Sequence, residues 1–348
     1  MRNVIARITR ENYIGKKIAN GEIRKMTHDL PGSFKYPPYL TLKEVALKNC
    51  MAEFLSYDCP NDDFVILQFH GGGYVGGMKN AYRRFAGFYN ELGKRVSVFT
   101  PDYRIAPEHV FPAALDDANE AFTYLLNLGY NANQIIVVGD SAGGNLALAL
   151  CLDLKNRGMD LPRGLILMSP WTDMTASGES YKFNYENDPL FGGSEDSMIW
   201  NREYAADHDP TDPLLSPLFG DFSGFPPMLI QVGDCEMLLS DSVRLAEKAR
   251  EAGVDVRLSI YEGMFHLFQM APLSLAESKK AWSEVGYFLE RALGIESKEP
   301  CEPCNEAEMN SDFLKKLKNI EVDLELRREK RREGINKWIS TTRTILKK

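Results

Sequence analysis

The stretch "QIIVVGDSAGGNLALALCLDL" constrains the fold of this chain more than any other. A continuous apolar run, 134–139, stops at Gly-Asp-Ser-Ala-Gly, and a segment of helical character, 143–157, follows at once. Continuous apolar strands are typical of a parallel sheet covered by helices on both faces. The pattern G-x-S-x-G between a strand and a helix holds its serine, here Ser141, exposed at a tight bend. A tight turn that merely contains a serine is the alternative.

The rest of the chain alternates short β-rich runs, the later ones continuously apolar, with longer helical segments. Strands are predicted at 43–49, 51–57, 64–69, 96–99, 134–139, 164–169, 227–232 and 256–261. Helices are predicted at 80–92, 113–128, 143–157, 241–252 and 273–293. This order predicts an α/β fold with a mostly parallel central sheet of eight strands, flanked by helices.

Two segments depart from the alternation. Residues 1–42 are helix-like and end in a proline-rich stretch. Residues from about 177 to 222 are rich in Asn, Asp, Pro and aromatic side chains. We expect both to cover one end of the sheet as a cap, over a catalytic domain that spans 43–295.

The chain beyond residue 295 has a different composition. Residues 296–310 carry five acidic side chains against one lysine, which predicts an acidic linker. Residues 311–348 carry twelve Lys and Arg against six Asp and Glu, and apolar residues follow helical spacing at Leu314, Leu317, Ile320 and Leu324. A basic amphipathic helical tail is predicted, which either packs on the body or a second copy of the chain, or stays solvated.

Composition narrows the class of protein. With 44% hydrophobic residues and a net charge of −8, the chain is expected to form a globular domain that does not bind nucleic acid. No apolar run approaches the roughly 18 residues of a membrane span, and the N-terminus does not resemble a secretion signal.

The six cysteines are scattered. Cys301 and Cys304 form a C-x-x-C without a second pair or a nearby histidine, so we expect two reduced thiols, no metal site and a cytoplasmic location.

A nucleophilic serine needs a base and hydrogen-bond donors for the oxyanion. The glycine-rich "FHGGGYVGG" follows a predicted strand and offers free backbone amides, to which the N–H of Ala142 would add another. Two histidines follow Ser141 in the chain. His266 comes just after the last predicted strand, where a base can reach over the sheet edge, whereas His208 lies among acidic residues in the irregular segment.

A carboxylate is expected to orient the imidazole of His266. The stretch "QVGDCEMLLSDS" offers Asp234, Glu236 and Asp241, and all three satisfy the chain order Ser, acid, His. The residues alone leave this choice open, since Asp241 could also cap the helix that follows.

Six motifs together resemble the hormone-sensitive-lipase branch (bacterial family IV) of the α/β-hydrolases. They are "HGGGYVGG", "PDYRIAPEHVFPAALDD", "GDSAGGN", "SPWTDMT", "DPLLSPL" and "GMFHLF". The resemblance covers about residues 30–293 and implies an α/β-hydrolase fold with a helical cap. It implies a nucleophile at Ser141, a base at His266, and an oxyanion hole from Gly72, Gly73 and Ala142.

The resemblance also bears on the acid and on substrate contacts. Relatives usually carry Asp-x-Leu-x-Asp with the first Asp catalytic, and "EMLLSD" aligns Glu236 with that place, leaving Asp234 in reserve. Tyr74 and Asp140 are assigned to substrate binding, with a core position for the Tyr74 ring as the alternative. No cofactor is implied.

The sequence thus predicts a serine carboxylesterase that hydrolyses short-chain acyl esters through an acyl-enzyme. A deacetylase for acetylated sugars or natural products is an alternative with the same mechanism. A ligand receptor on this fold is a third, disfavoured because receptors that resemble the family have lost the histidine. The expected partner is a small-molecule ester, with a homo-oligomer through the tail as a possibility.

Overall fold

A computed structural model of the chain describes residues 34–57, 61–193, 197–200 and 203–294. Most of the predicted N-terminal cap segment, up to residue 33, lies outside these ranges. So do the acidic linker and the basic tail, with Cys301 and Cys304. The first strand begins at Leu40, so it includes the last residues assigned from the sequence to the cap.

In the described part of the chain, eight strands form one sheet. They are β1 (Leu40–Ala46), β2 (Met51–Tyr57), β3 (Asn61–Phe69), β4 (Val96–Asp102), β5 (Ile135–Asp140), β6 (Gly164–Met168), β7 (Met228–Gly233) and β8 (Val256–Tyr261). Their spatial order is β1-β2-β4-β3-β5-β6-β7-β8. Within these residues β2 is antiparallel to both β1 and β4, and the other neighbouring pairs are parallel. The predicted eight-stranded, mostly parallel sheet is confirmed.

Helices lie between the parallel strands, as predicted. Those that the described residues form are α1 (Asn80–Leu92), α2 (Ala113–Asn127), α3 (Ala142–Asn156), α4 (Ser180–Phe183), α5 (Leu239–Glu251) and α6 (Ala276–Ala292). Helix α3 is apolar on almost every side and is buried along nearly its whole length. A helix of that composition is stable only inside the protein, where it supports the sheet directly behind Ser141.

The parallel strands bring five loops to one edge of the sheet. β3, β5, β6, β7 and β8 are consecutive neighbours that point the same way. Their carboxyl ends lead into His70, Ser141, Ser169, Asp234 and the loop that contains His266. Open α/β sheets bind their ligands beyond these ends, so the fold alone gathers the predicted site residues there.

The connection from β6 to β7 contains the predicted cap insertion, 177–222. Its described residues form mainly turns, with α4 and the 3-10 turns Met198–Trp200 and Pro217–Phe219. Aspartates explain the shortage of helix, since the carboxylates of Asp188, Asp209 and Asp212 each accept a backbone N–H two residues further on. Such local bonds offer the backbone an alternative to helical hydrogen bonding.

Candidate active site

Ser141 lies at the bend between β5 and α3. Its backbone has φ 52° and ψ −119°, a strained conformation for a residue with a side chain. The bend is fixed on both sides, because the N–H of Ser141 donates to the carbonyl of Met168 (2.9 Å) and its own carbonyl accepts from Trp171 (3.0 Å). At Gly143, a Cβ would lie 2.2 Å from the carbonyl oxygen of Phe69, so only glycine allows α3 to approach the loop after β3. The strained bend at Ser141 therefore depends on hydrogen bonds to two neighbouring loops and on glycine at position 143.

His266 and Glu236 form a buried hydrogen-bonded pair. The Nδ1 atom of His266 lies 2.9 Å from Oε2 of Glu236. The other carboxylate oxygen of Glu236 accepts from the hydroxyl of Ser169 (2.8 Å) and from the N–H of Gly233 (2.6 Å). These three contacts fix the carboxylate, which in turn orients the imidazole.

The other two candidate acids point elsewhere. The carboxylate of Asp234 accepts the backbone N–H of Gly263 (2.7 Å), bracing the turn after β8. The carboxylate of Asp241 accepts the N–H groups of Thr172 (2.7 Å) and Asp173 (2.9 Å). Asp241 lies within α5 and makes no side-chain cap bond, so it holds the loop after β6 instead of capping the helix.

The glycine-rich loop after β3 folds back on itself beside Ser141. The carbonyl of Gly72 accepts the N–H groups of Val75 (3.1 Å) and Gly76 (2.8 Å), and Gly72 and Gly73 both have positive φ. His70 lies at the start of the loop, with its ring stacked on Tyr103 at 4.2 Å. Ala142 is the first residue of α3, where the N–H groups have no partner within the helix. The start of α3 thus follows the serine directly, and the loop contacts Asp140, the residue before the serine.

Tyr74 belongs to the interior of the protein. Its ring is 1% exposed and stacks on Tyr204 of the insertion, with centroids 3.9 Å apart. Its hydroxyl donates to Oδ1 of Asn145 (2.6 Å), and burial raises the pKa of this phenol well above its usual value. This is the core position considered from the sequence, and substrate contact by Tyr74 stays a prediction.

Asp140 lies directly under the glycine-rich loop. Burial raises the pKa of its carboxyl well above the ordinary value, and the backbone N–H of Gly71 opposes that rise by donating a hydrogen bond. The side chain is 3% exposed. The contact that the structure gives Asp140 is with the loop, and its assignment to substrate binding stays a prediction.

Backbone strain is concentrated around the site. Four residues other than glycine adopt positive φ in loops at this edge of the sheet: Tyr74 (60°), Ser141 (52°), Ser169 (47°) and Leu267 (55°). Such conformations persist only where the surroundings over-determine them, and they are frequent at functional sites. Ser169 was not singled out from the sequence, although a polar residue directly after a buried parallel strand is a signal for this position.

Comparisons with known proteins show which family the chain resembles. A model of the family described as alpha/beta hydrolase fold matches residues 66–270. An esterase of Acinetobacter venetianus is 36% identical over 274 residues, 78% of this chain and 89% of its own. An acetyl-hydrolase of Streptomyces hygroscopicus is 33% identical over 281 residues, 79% of this chain and 92% of its own.

A similar solved structure indicates to which branch of the α/β-hydrolase family the chain belongs. It is the crystal structure of an esterase from the bacterial hormone-sensitive lipase family, with a TM-score of 0.70 and 34% identity, and it covers 81% of this chain and 98% of its own. The fold, the family match and these relatives agree. The chain is a carboxylic ester hydrolase, and it belongs to the hormone-sensitive-lipase-like (family IV) carboxylesterases of the α/β-hydrolase superfamily.

Proposed function

We propose that the protein hydrolyses short-chain acyl esters, from acetyl to butyryl, through an acyl-enzyme on Ser141. The observation that carries the proposal is the buried His266–Glu236 pair at the same sheet edge as a serine in a strained strand-to-helix bend. A nucleophile, a base and an acid that orients the base are the three side chains that this chemistry requires.

The reaction begins with proton transfer to the imidazole. With Nδ1–H donating to Glu236, the Nε2 atom of His266 is free of its proton and accepts that of the Ser141 hydroxyl. The serine oxygen bonds to the ester carbon, and the carbonyl oxygen becomes an oxyanion. As the ester C–O bond breaks, the imidazolium returns the proton to the leaving alcohol. Water then repeats the sequence on the acyl-enzyme and releases the carboxylic acid.

Backbone amides would stabilise the oxyanion. Gly72 and Gly73 supply them from the loop after β3, and Ala142 supplies another from the first turn of α3. Removal of one such donor typically raises the barrier by about 3 kcal/mol. Because these donors are main-chain groups, side-chain truncation does not remove them, and displacement of the loop is the way to test them.

Two observations favour a small acyl group. Ser141 and His266 are only 6% and 5% exposed, so a substrate must fit beneath the insertion to reach them. The Streptomyces hygroscopicus relative is named an acetyl-hydrolase. The same name supports the alternative of a deacetylase that removes acetyl groups from sugars or natural products by the same steps.

The decisive experiment compares Ser141→Ala with Ser283→Ala on p-nitrophenyl acetate and butyrate. Ser283 lies in α6, where its hydroxyl donates to the carbonyl of Lys279 (3.0 Å). We expect Ser141→Ala to abolish hydrolysis and to form no acyl-enzyme by mass spectrometry, while Ser283→Ala retains full activity. Hydrolysis that survives in Ser141→Ala would mean another nucleophile.

Acyl length and leaving group are tested on the wild-type protein. We expect kcat/KM to fall as p-nitrophenyl esters lengthen beyond butyrate. Release of acetate from acetylated sugars at a higher kcat/KM than from p-nitrophenyl acetate would favour the deacetylase instead.

The remaining expectations from the sequence concern location and assembly. Within the described residues no helix is both long and apolar enough to cross a membrane. We propose a cytoplasmic protein that does not bind nucleic acid, and a tail at 311–348 that could join two copies. Light scattering on the full chain and on a chain ending at residue 295 tests the assembly: a fall to the monomer mass on truncation supports it.

A further inference from the structure

The insertion between β6 and β7 reaches the loop that carries Glu236. We call residues 180–191 the clamp segment and residues 234–240 the acid loop. The side-chain amide of Asn184 in the clamp segment donates to two carbonyl oxygens of the acid loop, those of Asp234 and Glu236, both at 2.8 Å. Asn184 is buried. One amide therefore ties together the residues on either side of Cys235.

Asp188 makes a second connection. Its Oδ2 accepts the N–H of Met237 (2.8 Å), the residue directly after Glu236. Its Oδ1 accepts the N–H groups of Leu190 (2.8 Å) and Phe191 (3.0 Å). Burial raises the pKa of this carboxyl, and the nearby charge of Glu236 raises it further. Asp188 thus links the backbone beside the acid to the end of the clamp segment.

The end of the clamp segment touches the base. The ring of Phe191 lies 4.7 Å from the ring of His266, tilted by 56°. Phe191 is buried, and so is the imidazole. The ring of Phe191 therefore packs against the same imidazole that Glu236 holds by a hydrogen bond.

These contacts act on the geometry of the acid–base pair. The side chain of Glu236 is held by Ser169 and Gly233, but its position also depends on the backbone of residues 234–237, to which the clamp segment makes the bonds described. Misplacement of a catalytic group by about 1 Å can cost on the order of 100-fold in rate. Loss of the clamp bonds would therefore weaken catalysis without removing any group that reacts.

We propose that Asn184, Asp188 and Phe191 are positioning residues for the Glu236–His266 pair. The insertion would then form part of the acid–base machinery in addition to roofing the substrate. This inference rests on the proposed roles of Glu236 and His266.

The first test compares Asn184→Ala with Asn187→Ala. Asn187 lies in the same segment but is exposed, and its side-chain amide makes two long contacts, to the carbonyl of Phe183 (3.3 Å) and to Oδ1 of Asn184 (3.5 Å). For Asn184→Ala we expect kcat on p-nitrophenyl butyrate to fall about tenfold or more. Losses of this size follow the removal of groups that hold the directly acting residues of a site by hydrogen bonds. KM should stay within about twofold, because no substrate contact is removed. Asn187→Ala should behave as wild type.

The pH profile separates positioning from a loss of folded protein. The acid limb of kcat/KM reports protonation of the essential base in the free enzyme. A lower folded fraction scales the whole profile, whereas a looser Glu236–His266 pair moves the midpoint of the acid limb. We expect this midpoint to move in Asn184→Ala and to stay in Asn187→Ala.

A second matched pair covers the case in which Asn184→Ala does not fold. Phe191→Leu is compared with Phe183→Leu, since Phe183 lies in the same segment and is 56% exposed. Phe191→Leu should lower kcat several-fold and move the acid limb, and Phe183→Leu should do neither. Folded Asn184→Ala or Phe191→Leu with the wild-type kcat and acid limb overturns the inference. If Ser141→Ala is inactive in the same assay, the proposed function stands even when the inference about the clamp segment is overturned.

Discussion

The Nδ1 atom of His266 lies 2.9 Å from Oε2 of Glu236, while the carboxylate of Asp234, two residues earlier, accepts the N–H of Gly263 at 2.7 Å. Both acids lie in the turn after β7, but their side chains contact different parts of the loop after β8. Glu236 holds the imidazole, and Asp234 holds the backbone that leads to it. The two carboxylates therefore have separable effects on catalysis.

Glu236→Gln should reduce turnover far more than Asp234→Asn. The amide of a glutamine can donate to Nδ1, which favours the tautomer whose Nε2 carries the proton and cannot act as a base. In other enzymes with a serine, histidine and carboxylate, the equivalent change lowers kcat by about 10,000-fold, and we expect a loss of at least about 1,000-fold here. Asp234→Asn retains an oxygen acceptor for Gly263 and should stay within about tenfold of wild type. The kcat of both variants on p-nitrophenyl butyrate is the measurement, and the reverse ranking would reassign the acid.

Gly71→Ala should disrupt the oxyanion loop. A Cβ at this position would lie 2.2 Å from Oδ2 of Asp140 and 3.0 Å from its backbone carbonyl oxygen, so the Asp140 side chain, the loop or the serine bend must move. We expect kcat/KM to fall on the order of 100-fold through misplaced amide donors. The added methyl does not contact the His266–Glu236 pair, so the pH at which the acid limb falls should not change. Wild-type kcat/KM in the folded variant would contradict a fixed loop.

Gly87→Ala is the matched control, and it carries a prediction of its own. Gly87 lies inside α1, where the nearest atom to an added Cβ is Cε1 of Tyr36, at an ordinary contact distance of 3.8 Å. Alanine stabilises a helix interior by up to about 1 kcal/mol relative to glycine. The free energy of unfolding in urea should rise by about that amount, with activity unchanged. A decrease would mean that the buried face of α1 does not tolerate a methyl group.

Much of this architecture could be predicted from the sequence. Short β-rich runs in the sequence overlap all eight observed strands. The later ones are continuous apolar runs, because parallel strands covered on both faces need that pattern. The serine bend was predictable for a similar reason, since its glycines permit an approach of main chains that leaves no space for a Cβ.

Other features depend on contacts between distant parts of the chain. Chain order alone does not choose among Asp234, Glu236 and Asp241, and the family resemblance favours Glu236. The hydrogen bond to His266 is what distinguishes Glu236 in the structure. Asn184 and Asp188 look like ordinary turn residues, because Asn and Asp are common wherever the backbone leaves regular structure. Only the return of the insertion to the acid loop, about 50 residues further on, gives them partners.

Asp241→Asn should stabilise the protein more at pH 8.5 than at pH 5. Burial raises the pKa of Asp241 from 3.8 to about 7, the charge of Asp173 adds to the rise, and the N–H of Thr172 opposes it. The folded state therefore binds more protons than the unfolded state between about pH 4 and pH 7, and stability from this group falls as pH rises through that window. Above pH 7 the Asp241 carboxyl is ionised in the folded protein, and the full loss of stability from burying its charge is present. The neutral amide of asparagine carries no charge and so does not cause this loss. Thermal melting of both proteins at the two pH values tests this, and an equal change in Tm at both would contradict it.

Replacing one member of the pair Arg83–Glu53 should lower the free energy of unfolding more than replacing both members together. Nε of Arg83 lies 2.9 Å from both carboxylate oxygens of Glu53, with both side chains buried between α1 and β2. Arg83→Met leaves a buried carboxylate without its guanidinium, and Glu53→Leu leaves a buried guanidinium without its carboxylate. Each should lower the free energy of unfolding by about 3–5 kcal/mol. The double variant removes both charges and should recover a large part of that loss in urea denaturation. Additive losses in the double variant would mean that the two side chains contribute to stability independently, despite their contact.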